Sequence, residues 1–307
     1  MAKLLIVGTL ALDTLKTPFG HKENVLGGSA VHAAVAASFF TETAILGVIG
    51  KDFPKEHLDF LKSRNIDISG LQLEEGKTFR WSGAYEYDMN QARTIDTHLN
   101  VLASYRAEVP SQLRGTPFVF LANLDPDLQL KAIGQLTKPE LLAADTMNLW
   151  IETKRHQLTE VIKKVDYFFI NDAELRQYME TPNLPLAANR LKKLGLKGVM
   201  VKKGEHGALL FNQGEHFSAP SYPQEQFRDP TGAGDSFAGG FLGYLAKTGD
   251  LSEKNLRRAA IIGSVMASFN IEDFGLDRMR TLKMKEIIDR FNEFKRFSEF
   301  EALALKD

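Results

Sequence analysis

The sequence contains no cysteine. That absence excludes a disulfide scaffold, a thiolate metal centre and a cysteine nucleophile together, and it suits a reducing compartment. No apolar run approaches the roughly 18–20 residues of a membrane span. The apolar stretch at the N-terminus is interrupted by Thr9 and Asp13 before it reaches the form of a signal peptide. An excess of one charge is also missing: 38 Lys and Arg face 39 Asp and Glu, for a net charge of −1. Such a balance gives neither the positive field of a nucleic-acid binder nor an acidic tail. A cytoplasmic protein without nucleic-acid or membrane partners is the expectation. No internal repeat or low-complexity segment divides the chain, and large α/β sheets reach 307 residues as one domain. Residues 1–307 are therefore expected to form a single domain.

What is present is ample material for a core, with 44% apolar and 25% charged residues. Short apolar runs alternate with longer helical patterns. Strands are predicted at Lys3–Gly8, Ala44–Ile49, Pro117–Leu121, Tyr167–Ile170, Gly198–Val201 and Ala208–Phe211. Helices are predicted at Ser29–Phe40, Pro54–Ser63, Asp127–Gln135, Ile151–Lys164, Asp172–Met179 and Leu186–Leu194, and again at Gly234–Leu245, Ser252–Phe269 and Met284–Phe297. This order implies an α/β fold with a doubly wound, mostly parallel sheet, which binds its ligand outside the carboxyl ends of the strands.

One region breaks that rhythm. Phe79, Trp81, Tyr85 and Tyr87 alternate with polar residues, and after the turn Asp88–Gln91 the positions Thr94, Asp96, His98 and Asn100 alternate with Ile95, Leu99 and Val101. Period two on both arms predicts an antiparallel hairpin at about 75–103 with one wet face. Two placements suit it: an edge hairpin on the main core, or a small lid over a cleft, joined by residues 13–25.

The most informative segment is Arg228-Asp229-Pro230-Thr231-Gly232-Ala233-Gly234-Asp235-Ser236-Phe237, which opens an apolar helical run. Glycines ahead of a helix let backbone N–H groups approach an anion at the positive end of the helix dipole. A dinucleotide fingerprint fails because Phe237 occupies the place of its third glycine. Gly234-Asp235-Ser236-Phe237-Ala238 approaches a hydrolase elbow, but all seven histidines lie at or before His216, so the order serine, acid, histidine is not met. The lysine-bearing phosphate loop G-x-x-x-x-G-K-[ST] is absent. There remains an anion-holding loop with a carboxylate at its helix end.

Asp-Pro-Thr-Gly-Ala-Gly-Asp-Ser-Phe resembles the C-terminal signature of the ribokinase-like (PfkB) carbohydrate and nucleoside kinases, D-[TP]-[TV]-G-A-G-D-x-[FY]. Gly27-Gly28-Ser29-Ala30-Val31-His32 is similar to that family's glycine-pair segment, and Gly47-Val48-Ile49-Gly50-Lys51-Asp52 to its G-x-[IV]-G-x-D strand end. Asn171-Asp172-Ala173-Glu174 matches its N-x-x-E, and Lys203-Gly204-Glu205-His206-Gly207 falls at its G-x-x-G turn. The motifs keep the family's order over nearly the whole chain. The resemblance implies a three-layer αβα fold with the hairpin as an inserted β-lid, and transfer of the γ-phosphoryl group of ATP to a hydroxyl, in the first instance a primary alcohol, of a sugar or nucleoside.

The resemblance also assigns residues. Asp235 becomes the general base, and the amides of Gly232, Ala233 and Gly234 the hole for the transferring phosphoryl group. Asp13, Gly27, Gly28, Ser29 and His32 face the acceptor. Asn171, Glu174, Lys203, Gly204 and Gly207 belong to the nucleotide and its Mg2+, and Asp229 with Thr231 to a monovalent cation such as K+. A homodimer through the apolar face of the lid is a further expectation. His32 stands where many sugar kinases carry Asn, and Ala11 where ribokinases carry another, which disfavours ribose itself; no arginine cluster marks a second phosphate. The aromatic residues of the hairpin suit a nucleobase. The competing class is a non-catalytic nucleotide or metabolite binder on the same fold, which has no need of a base at Asp235.

Overall fold

The computed structural model describes residues 2–212 and 215–303. Thirteen strands are present among them: β1 (Leu4–Val7), β2 (Ala11–Thr17), β3 (Gly20–Gly27), β4 (Thr43–Gly50), β5 (Ile66–Glu74), β6 (Arg80–Tyr85) and β7 (Ala92–His98). The rest are β8 (Phe118–Leu121), β9 (Leu141–Ala144), β10 (Tyr167–Asn171), β11 (Gly198–Lys202), β12 (Ala208–Phe211) and β13 (His216–Ala219). The helices are α1 (Ser29–Ala37), α2 (Lys55–Ser63), α3 (Pro126–Ile133), α4 (Asn148–Thr153), α5 (Arg155–Ile162) and α6 (Asp172–Met179). They continue with α7 (Leu184–Lys192), α8 (Ala233–Thr248), α9 (Glu253–Asn270), α10 (Asp277–Thr281) and α11 (Met284–Ser298).

Nine strands form one sheet in the order β13-β12-β11-β10-β9-β8-β1-β4-β5, parallel from β5 through to β11 and antiparallel at β12 and β13. Successive side chains point to opposite faces of a strand. Leu4 and Ile6 of β1 therefore join Phe120 and Phe169 in a core covered by α1, α8, α9 and α11. Leu5 and Val7 join Leu121, Phe168 and Ile170 in a second core beneath α3 to α7. Both faces are covered, which is why the inner strands read as unbroken apolar runs. The chain winds outward from β1 in both directions, so the carboxyl ends of β1 and β8 mark the switch point where such sheets bind ligands.

Two departures from the sequence expectation have local causes. The sequence does not signal β5, because an edge strand tolerates polar residues and this one carries Asp67, Ser69, Gln72 and Glu74. The helix expected over Ile151–Lys164 is two helices, α4 and α5, broken at Lys154, whose backbone is non-helical and whose ammonium is held by Asp125 and Asp127 at 2.8 and 2.5 Å.

The second sheet has four strands in the order β3-β2-β6-β7. β7 carries a bulge: Ser82 pairs with Asp96 and Gly83 with Thr94, leaving Ile95 as the extra residue. A bulge reverses the alternation beyond it, so the single-faced pattern expected for the hairpin does not persist. Tyr85 turns into the molecule, whereas Tyr87 is 89% exposed at the turn and every residue of β7 is exposed. Val101 leaves the hairpin altogether for the main core.

Candidate active site

The loop before α8 is held by close packing of helices. A Cβ on Gly239 would stand 2.1 Å from the carbonyl oxygen of Ala33, so α8 lies directly on the backbone of α1. The mid-helix glycine costs about 1 kcal/mol in helix propensity and in return allows this approach. At the head of α8, Gly232 has φ +74°, and a Cβ there would stand 2.2 Å from His32 Nδ1. The Ala233 amide, expected in the anion hole, donates instead to the Pro230 carbonyl at 3.1 Å as part of the turn. The amides of Gly232, Gly234 and Asp235 have no partner among the described residues, which is the condition of a helix N-terminus able to take an anion.

A buried charge cluster flanks this end. Lys202, at the end of β11, forms an ion pair with Asp145, which follows β9. A Cβ on Gly234 would stand 3.1 Å from its Nζ. Burial depresses the Lys202 pKa, but Asp145, Glu174 and Asp235 outweigh burial and hold it above the usual lysine range. An ammonium has three donors, so the Asp145 pair leaves donors for a further anion. Asp235 itself is pushed up to about 8, first by burial and then by the charges of Asp145 and Glu174, against the pull of Lys202. The sequence pointed to Lys203; the lysine that reaches the loop is its neighbour Lys202, and the signal for it was the end of an apolar strand one residue earlier.

Asp13 lies where β2 leaves the core for the lid, at a register shift between β2 and β3. It is 4% exposed, and its Oδ1 has no hydrogen-bond partner. Burial, and then the charges of Asp229 and Asp235, push its pKa up to about 8. A Cβ on Gly27 would stand 2.0 Å from Asp13 Oδ2, and one on Gly28 2.4 Å from the Thr9 carbonyl. The pair of glycines thus admits the protein's own groups. Ser29 spends its hydroxyl on the Asn123 carbonyl at 2.9 Å and on Thr9, stitching the ends of β1 and β8 together.

The remaining expected positions have defined structural work. Asn171 and Glu174 cap α6 reciprocally: the Glu174 amide donates to Asn171 Oδ1 at 2.7 Å and the Asn171 amide to Glu174 Oε2 at 2.8 Å. Burial pushes Glu174 up to about 7. Asp229 accepts the Thr231 amide at 3.0 Å on one oxygen and the Gly275 amide at 2.9 Å on the other. Thr231 gives its hydroxyl to Tyr85. A monovalent cation here would depend on main-chain carbonyls, since both side chains are engaged. Gly204 and Gly207, both at positive φ, shape the turn after β11, and the lid reaches it: Asn90 Nδ2 donates to Glu205 Oε1 at 3.3 Å. Lys203 contributes its backbone to that turn, its amide donating to the Gly207 carbonyl at 2.8 Å. Asp52, from the strand-end motif, anchors the lid by accepting the Thr78 amide and hydroxyl at 2.6 and 2.8 Å and Arg80 at 2.9 Å.

Asn270, at the end of α9, was not signalled by any motif. Fully buried, it gives Nδ2 to the Thr231 carbonyl at 2.7 Å and accepts Ser236 Oγ at 3.0 Å, with His32 Nδ1 at 2.9 Å from the same oxygen. It joins the backbone of the loop before α8 to the helix bearing His32.

A doubly wound sheet whose β-lid touches a helix-end anion site defines the ribokinase fold. The nucleoside kinase of Methanocaldococcus jannaschii has it with a TM-score of 0.77 at 23% identity, over 95% of this chain and 98% of that one. A putative ribokinase II of E. coli in complex with ATP and Mg2+ matches with a TM-score of 0.78 at 17% identity, over 95% and 100% of the two chains. The cytidine kinase of Thermococcus kodakarensis is 30% identical over 262 residues, 82% of this chain and 92% of its own length. The family described as pfkB family carbohydrate kinase matches residues 9–281, and the chain belongs to it. It is a nucleoside or sugar kinase, a phosphotransferase with an alcohol as acceptor. No helix among the described residues is long and apolar enough to cross a membrane.

Proposed function

We propose that the protein transfers the γ-phosphoryl group of ATP to a primary hydroxyl of a nucleoside, with Asp235 as general base. The observation that carries this reading is the juxtaposition at the head of α8: the Asp235 carboxylate, three unpartnered amides and the Lys202 ammonium surround one point. A nucleoside is favoured over a free sugar by the cytidine kinase likeness and by the half-buried aromatic residues Trp81 and Tyr85 of the lid, which suit a nucleobase.

Phosphoryl transfer proceeds through a loose transition state, so alignment and charge stabilisation dominate. The acceptor oxygen forms its bond to phosphorus while the bond from phosphorus to the bridging oxygen of ADP breaks, and the hydroxyl proton passes to Asp235. A pKa of about 8 makes Asp235 a far better proton acceptor than an ordinary aspartate near 3.9. The amides of Gly232, Gly234 and Asp235 and the Lys202 ammonium carry the negative charge of the phosphoryl oxygens.

Glu174 suits Mg2+: its Oε2 is used by the cap and its Oε1 has no partner among the described residues, and burial, which raises its pKa to about 7, disfavours its charge unless a cation lies beside it. Glu174 and Asn171 would hold the ion through water, as Mg2+ prefers, and it would offset charge on the nucleotide phosphates. The test is ADP release by the purified protein with MgATP over a panel of nucleosides and sugars. Turnover with nucleosides is expected; no ADP above background with any acceptor overturns the proposal.

A further inference from the structure

Gln129, in α3, is fully buried, and its amide nitrogen faces three main-chain oxygens: Leu121 at 3.3 Å, Ala122 at 3.0 Å and Asp145 at 3.1 Å. Carbonyls only accept, so the nitrogen is the atom that meets them, and the amide oxygen is left buried without a partner. The sheet explains why the hydrogens are needed here. The ladder of β8 and β9 ends where Leu121 pairs with Ala144, closed by the Asp145 amide on the Leu121 carbonyl at 2.9 Å. Past that rung Gln129 ties the two strand ends together, on the carboxyl side of the sheet where its ligands bind. Asp145 is thereby fixed at every oxygen: its carbonyl by Gln129 at 3.1 Å, Oδ1 by the Thr146 amide at 2.8 Å, and Oδ2 by the Lys202 ammonium.

We propose that Gln129 is a positioning residue for phosphoryl transfer: by holding the Asp145 carbonyl to the end of β8 it sets the Asp145 carboxylate, and through it the Lys202 ammonium, against the head of α8. This rests on the reading of Lys202 as a partner of the phosphoryl oxygens. Each link is a direct contact. The Lys202 ammonium is a point charge on a flexible stem, so its place is decided by its counter-ion. That counter-ion is only 2% exposed and cannot trade a lost partner for water. The loop amides that share the phosphoryl group with Lys202 belong to another element, α8, and stay where α1 seats them. Replacing Gln129 by an apolar side chain leaves three buried carbonyls bare, and the segment after β9 must move to satisfy them. The ammonium then shifts relative to the amides. A displacement of about 1 Å between groups that act together costs about 10²-fold in rate. A side chain that merely stitched β8 to β9 would lower stability and leave the site unchanged.

The test uses the full chain with MgATP and cytidine, inosine or ribose as acceptor, well below the melting temperature of each variant. Gln129→Met keeps the length of the side chain and removes its donors. It should cut kcat by about ten- to a hundredfold and leave KM for the acceptor within about threefold, with MgADP affinity close to that of the wild-type protein. Gln129→Glu offers a donor only while its carboxyl holds a proton, so its kcat relative to wild type should recover as the pH falls from about 8 to about 6. In the Lys202→Met/Asp145→Leu background the route from Gln129 is already cut, and adding Gln129→Met should lower kcat by no more than about twofold. Carbon-13 spectra decide even where no acceptor turns over: the Lys202 Cε signal, assigned by difference from Lys202→Met, should shift in Gln129→Met. Should Gln129→Met not fold, the pH response of Gln129→Glu and its own Lys202 signal take its place. A loss in KM rather than kcat, a fully additive loss in the triple variant, or a Lys202 signal untouched by the change at Gln129 overturns the inference. Normal turnover in Lys202→Met overturns the reading of Lys202 on which it rests, whereas a crippled Lys202→Met beside a fully active Gln129→Met overturns the positioning role alone.

Discussion

Thr231, in the loop before α8, donates its hydroxyl to the Tyr85 phenol of the lid across 3.1 Å, linking segments 146 residues apart in the chain. The contact places the lid over the point where α8 begins. Burial pushes the Tyr85 phenol above its usual range, so it stays neutral. Tyr85→Phe removes only this bond. A net hydrogen bond is worth about 0.5–1.5 kcal/mol, so KM for the acceptor should rise by roughly two- to tenfold with a smaller change in kcat, read by steady-state kinetics.

Asp235→Asn should leave MgADP binding close to that of the wild-type protein and cut kcat by at least about 10²-fold, the usual scale of a lost general base. The wild-type pH profile supplies a second check. Only the carboxylate accepts a proton, so kcat/KM should rise with pH and level off above about 8, the value to which burial raises Asp235. Asp13 titrates in the same range, so the rise should be steeper than that of one ionisation. A flat profile between pH 6 and 9 contradicts both assignments.

The buried Asp13 carboxyl weakens the fold as the pH rises. Its folded-state pKa of about 8 lies above the ordinary 3.8, so between those values the native state holds a proton that the unfolded chain has lost. Stability attributable to this group is therefore present at low pH and lost as pH rises towards 8. Asp13→Asn should raise Tm by at least about 2–4 °C at pH 8, with no gain at pH 4, while reducing kcat/KM. Scanning calorimetry at the two pH values decides it.

Lys202→Met leaves Asp145 buried beside Asp235 and Glu174 with no cation. Breaking a buried pair on one side costs about 3–5 kcal/mol. Adding Asp145→Leu should recover much of that loss in chemical denaturation but none of the lost turnover, because the phosphoryl oxygens still lack the ammonium. Recovery of activity in the double variant would remove Lys202 from the chemistry.

Gly239→Val tests the helix contact that seats the loop. Its Cβ would meet the Ala33 carbonyl at 2.1 Å, a backbone atom with no room to move aside. Overpacking of this kind costs about 1–3 kcal/mol, and the loop above it should bind MgADP less tightly. Thermal melts with and without the nucleotide separate the two effects.

The amino-acid order alone determined the winding of the large sheet, because buried parallel strands such as β1, β8 and β10 must be apolar on both faces and helices must cover them. It also located Asp235 and its glycines, whose chemistry is local: a helix end, bare backbone and a carboxylate lie within a few residues of one another. Other features were decided only by the folded chain. Lys202 reaches the site by lying at the end of β11 next to β10, and Asn270 by the close packing of α9 on α8, so neither is visible at short range. β6 ends at Tyr85, so Tyr85 turns inward while Tyr87 falls in the turn beyond the strand and is exposed, and the bulge at Ile95 breaks the alternation of β7. Burial, which depends on every neighbour at once, raised the carboxyl groups of Asp13 and Asp235 from ordinary acids to groups that exchange protons near neutrality.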